Sequence, residues 1–81
     1  MDVIVQKEIL LEEIEAATAF ICYRQRPDEP LTPESISLIN MKRQVMLTEP
    51  EAIDPQKIRD EIEDLKKPYL NEPIRLIDVN D

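Results

Sequence analysis

The chain has 81 residues, 42% of them hydrophobic, and a net charge of −8 from 18 acidic and 10 basic side chains. That length holds one small domain at most, and a domain so small often gains stability by associating with another copy or another protein. The acid excess argues against direct nucleic-acid binding and against an anionic membrane surface, because both need clustered Lys and Arg. It permits a basic protein partner or mimicry of nucleic acid, and simple solubility is the plainest reading.

Residues 3 to 24 carry the strongest periodicity. Val3, Lys7, Leu10, Ile14, Ala17 and Ile21 follow alternating steps of four and three, which keeps side chains on one helix face. Ile9, Ala16, Phe20, Tyr23 and Leu11 widen that stripe, and Lys7 alone breaks it. A stripe so broad calls for more than one neighbour. The β-branched start, Val3-Ile4-Val5, is equally compatible with a short strand. Lys7 is expected at the edge of the stripe, its stem on apolar surface and its ammonium in water.

The next segment, RPDEPL, carries Pro27 and Pro30 and is followed by Pro33, in a chain without glycine. The residue before a proline is pushed away from helical geometry, so Arg26 ends the first helix or lies beyond it. Arg24 and Arg26 sit where positive charge complements a helix C-terminus. Thr32-Pro33-Glu34 reads as N-cap, first helical residue and first-turn acid. Fixed φ angles and the lack of a Gly/Ser spacer make this a stiff corner and not a linker. A second helix is expected over about Pro33 to Leu47, with Ile36, Ile39, Arg43 and Met46 as its stripe and Leu38, Met41, Val45 and Leu47 nearby. The short corner predicts that the first two helices pack as an antiparallel hairpin.

Thr48-Glu49-Pro50-Glu51 reads as a capped turn, and Asp54-Pro55 repeats the cap-then-proline signature. The third helix carries a narrow seam of Ile58, Ile62 and Leu65, with Lys66 and Lys67 suited to its C-terminus and Pro68 as its stop. Beyond it, PYLNEPIRLIDVND alternates imperfectly around Ile74, Leu76 and Val79, and reads as an extended arm or a short strand. Residues 1–67 are thus expected to form a helical domain, with 68–81 as its C-terminal arm. The fold class is a mostly α, three-helix domain with proline-rich corners.

The chemistry is restricted. Without histidine the chain lacks the commonest general base and metal ligand, and without glycine it lacks phosphate-cradling loops. Cys22 is the only cysteine, so no intrachain disulfide or cysteine zinc cluster forms; it reads as a small buried hydrophobe and fits a reducing cytoplasm. The first fifteen residues carry acid where a signal peptide needs base, so a leader is not expected. The carboxylate clusters Glu12, Glu13, Glu15 and Asp60, Glu61, Asp64 lack the glycine turn of a calcium loop and the histidines of a bundle di-metal site. They read as solvated helix faces, and Glu12 or Glu15 is expected to meet a basic residue across the helix pair. No cofactor or metal is expected.

The resulting expectation is a non-enzymatic cytoplasmic module that presents amphipathic helix faces to a protein partner, preferably to a second copy as a homodimer. The interaction surface is expected at Leu10, Ile14, Ala17, Ile21, Ile39 and Met46. The alternative is an acidic inhibitor of the antitoxin, immunity or nucleic-acid-mimic kind, presenting Glu12, Glu13, Glu15, Asp60, Glu61 and Asp64 to a basic enzyme surface. The capping assignment is directly testable: Thr32→Ala should lower stability by about 1 kcal/mol in urea unfolding, and an unchanged midpoint would remove Thr32 as the cap.

Overall fold

A computed structural model describes residues 2–25 and 28–74. The described residues hold three α-helices, α1 (Val3–Cys22), α2 (Pro33–Leu47) and α3 (Pro55–Lys66), with 3-10 turns at Pro50–Ala52 and Lys67–Tyr69 and no strand. Val3-Ile4-Val5 is therefore helical. The Asp2 side chain accepts the Ile4 N–H and satisfies one of the orphan donors of the first turn. Thr32 and Asp54 do the same for Ser35 and Lys57, each followed by a proline at the first helical position.

Cross-helix bonds establish the directions. Lys7 reaches the carbonyls of Met46 and Thr48, Lys42 pairs with Glu15, and Ser35 meets Gln25, so α1 and α2 run antiparallel. Arg59 bonds Glu13, and Lys66 lies over the Phe20 ring, so α3 runs parallel to α1. The result is an up-down-up bundle in which α1 is the helix that both others cover.

The core is aliphatic: Ile14, Ala17 and Ile21 of α1, Leu38 and Val45 of α2, and Ile62 of α3. Leu11, Phe20, Met41, Ile53, Ile58, Leu65 and Tyr69 pack around it. The inward face of α2 is Ser35, Leu38, Met41 and Val45, whereas Ile36, Ile39, Arg43 and Met46 face outward. One expectation is corrected here: the Lys7 ammonium, expected in water alone, donates to the Met46 and Thr48 carbonyls at 3.0 and 2.9 Å, where the C-terminus of α2 leaves acceptors without helical partners.

The corner is tied by a polar knot. The Ser35 hydroxyl, fully buried, donates to Gln25 Oε1 at 3.0 Å, and Gln25 Nε2 donates to the Pro30 carbonyl at 3.1 Å. A buried hydroxyl and amide are tolerated because they satisfy each other and a corner carbonyl that no helix uses. Arg24 donates to the Phe20 carbonyl near the end of α1 and stacks on the Phe20 ring, as its place at a helix C-terminus suggests. The expectations for Arg26, Pro27, Leu76 and Val79 fall outside the described residues.

Ile14 is wholly buried between α2 and α3, so Ile14→Ala should destabilise the domain by about 2–5 kcal/mol in chemical denaturation. Glu13→Ala, one position away on a half-exposed ion pair, should cost under about 1 kcal/mol. Equal losses would place the buried face of α1 elsewhere.

Candidate functional site

The six residues expected to form the interaction surface separate into two groups. Leu10, Ile14, Ala17 and Ile21 are buried within the chain's own bundle and are not available to a partner. Ile39 and Met46 are exposed on the outer side of α2. They belong to the longer stripe expected from the spacing of α2. Ile36, Ile39, Arg43 and Met46 step by three, four and three, so they stand in line, with Leu47 beside them. Their exposures are 47% for Ile36, 40% for Ile39, 55% for Met46 and 81% for Leu47. An isolated exposed aliphatic residue is ordinary, whereas a row along nearly three turns of one helix is a candidate contact surface.

This surface continues at one end of the bundle. Lys7 holds the start of α1 against the last turn of α2, so the exposed Val3, Ile4 and Val5 stand at the same end as Met46 and Leu47. Arg43 lies in the middle of the stripe, exposed, and has no ion-pair partner among the described residues. Sequence spacing alone did not settle which side of α2 is buried, because the helix has two apolar edges. The choice is made by Ser35, a polar residue at a core position, and by Lys42, whose ammonium is drawn to Glu15.

The acidic residues do not gather on one surface. Glu13 accepts from Arg59 at 2.9 Å on the α3 side of α1, and Glu15 holds Lys42 on its α2 side. Glu12 is exposed between those directions. On α3, Asp60 accepts from Gln56 at 2.9 Å, Asp64 pairs with Lys67 at 3.1 Å, and Glu61 lines the groove beside α2. Among the described residues no group of three or more His, Cys, Asp or Glu side chains is arranged to hold a metal ion, and no helix is long and apolar enough to cross a membrane. The Cys22 thiol is half-buried near the end of α1. Comparison with known proteins finds no family model that matches the chain, no similar curated protein and no similar solved structure.

Among the described residues, the pKa of Tyr69 is displaced from its ordinary value. Tyr69 donates its hydroxyl to Glu34 Oε1 at 3.0 Å, closing the end of α3 onto the start of α2. Burial raises its pKa above 10.0; a Thr32 hydrogen bond opposes the shift, and the Glu34 and Glu29 carboxylates reinforce it. The folded state therefore holds this proton more tightly than the unfolded state. The associated stability is complete below pH 10.0 and is lost as pH rises through the higher folded value. Alkaline denaturation should be steeper for the wild type than for Tyr69→Phe, and parallel curves would remove Tyr69 from the account.

Proposed function

We propose that this chain is a non-enzymatic protein–protein interaction module of the cytoplasm, that it docks through the outer face of α2, and that its partner there is a second copy of itself. The observation that carries the reading is the orientation of α2. Its row of Ile36, Ile39, Met46 and Leu47 faces water while the wider stripe of α1 is covered within the chain. Cofactors, direct nucleic-acid contact and membrane insertion have no part in this reading.

The stripe is self-complementary. Ile36 and Met46 lie five residues either side of Met41, and Ile39 and Arg43 lie two either side. Two copies of α2 packed antiparallel by their outer faces, about a twofold axis level with position 41 of the helix, would set Ile36 against the partner's Met46, and Ile39 against the stem of the partner's Arg43. The guanidinium then stays at the rim in water while its methylenes cover apolar surface. Arg43 thereby ceases to be an interruption of the stripe.

The inhibitor reading has less support. A surface that imitates phosphates needs carboxylates along one continuous ridge, and Glu13, Glu15 and Asp64 are each paired with a cation of their own chain.

A dimer built on one helix face is small, in the size range of weak or transient contacts. Sedimentation equilibrium should show a monomer–dimer equilibrium, with a thermal midpoint that rises with protein concentration. Ile39→Asp should abolish both effects while leaving the monomer folded, since Ile39 lies outside the core and the residues packed against it. A wild-type chain that stays monomeric, with a concentration-independent midpoint, would overturn the proposal.

A further inference from the structure

The second feature of the bundle is the groove between α2 and α3, on a different side from the outer stripe. α3 leans on α1, held by Arg59–Glu13 and by Lys66 over Phe20, more than it leans on α2. α2 and α3 are tied chiefly at their two ends, by the Tyr69–Glu34 hydrogen bond above and by the short connection from Thr48 to Asp54 below. Between those ties lies an open cavity of about 650 Å³. Its apolar floor is made by Met41, Val45, Ile53, Ile58 and Leu65.

The two walls differ. The α2 wall is neutral and hydrogen-bonding, with Ser37, Asn40, Gln44 and Thr48 at steps of three and four. The α3 side is acidic: Asp54, Glu61 and Asp64 stand against the single ammonium of Lys57. Asp54 uses one oxygen to cap α3 and Asp64 is paired with Lys67, whereas Glu61 has no partner among the described residues. Neither wall presents a free backbone edge, because both are helices whose amides are internally bonded, so an added strand has nothing to pair with. Ser37 and Thr48 are separated by roughly 16 Å of helix at 1.5 Å per residue, the length of about three helical turns.

We infer that this groove receives an amphipathic helix of another protein, about three turns long, with an apolar stripe on the floor and Lys or Arg along the flank that faces α3. The occupant completes a four-helix bundle by packing against α2 and α3 at ordinary interhelical distance. Complementary charge sets its orientation, since a basic flank gains from the α3 side and gains nothing from the neutral α2 wall. This docking uses residues distinct from those of the outer stripe, the two sets meeting along the edge where Asn40 adjoins Ile36 and Arg43.

The test uses a fluorescent synthetic peptide of Leu and Lys, patterned as a three-turn amphipathic helix, and a counterpart with Glu in place of Lys. Fluorescence anisotropy against the full chain should show the Leu/Lys peptide binding at least about tenfold tighter than the Leu/Glu peptide. Glu61→Lys should weaken it about fivefold, whereas Glu12→Lys, the same charge change on the outer face of α1, should leave it unchanged. Ile39→Asp, which disables the outer stripe, should also leave it unchanged. The inference is overturned by an absence of binding, by equal weakening from Glu61→Lys and Glu12→Lys, or by loss in Ile39→Asp. Binding that appears only after residues 75–81 are removed would also overturn it, because the chain's own arm would then be the occupant.

Discussion

Everything in this bundle depends on one apolar row, Leu10, Ile14, Ala17 and Ile21, each buried within the fold. An 81-residue chain with three aromatic side chains has few large groups with which to exclude water, so it concentrates burial on one helix and covers that helix from two directions. α2 supplies Leu38 and Val45 to the row, and α3 supplies Ile62. Because α1 carries the widest apolar surface, α2 and α3 both orient towards it and meet each other less fully. The groove between α2 and α3 is the geometric consequence.

Polar locks at the helix ends then select one arrangement among those that the aliphatic core would tolerate. Hydrophobic contact is non-directional and permits a helix to rotate or slide. The Gln25–Ser35 bond fixes the rotation of α2 where it begins, and Lys7 fixes its other end by answering two carbonyls. Tyr69 and Glu34 perform the same service for α3. Each lock joins a group that would be costly to leave unsatisfied to an acceptor that no helix uses, so slippage loses a hydrogen bond as well as packing. The outward turn of Ile36, Ile39 and Met46 follows from that rotation.

The helices were legible in the sequence because their signals are local. The steps of four and three in α1, the Thr32-Pro33 and Asp54-Pro55 starts and the stop at Pro68 act within a turn or two of the residues they govern. The antiparallel hairpin was legible as well, from a corner too short for anything else. The buried side of α2 was not. Its apolar residues lie on both edges, and the deciding residue, Ser35, is of a type that composition assigns to the surface. The role of Lys7 was hidden for a related reason: a lysine in an apolar stripe looks like an edge position, and its acceptors lie about forty residues away in the chain. Of the six residues expected on the candidate surface, Ile39 and Met46 are exposed and the four of α1 lie inside the core.

The functional account rests on this division between an α1 stripe covered within the chain and an α2 stripe left facing water. Methyl NMR spectra recorded across a range of protein concentrations test it most directly. The account predicts that the Ile36, Ile39 and Met46 methyl signals shift with concentration while those of Ile14 and Ile21 remain fixed. Concentration-dependent shifts at Ile14 and Ile21, with Ile39 and Met46 unmoved, would mean that α1 opens to meet its partner and would contradict it.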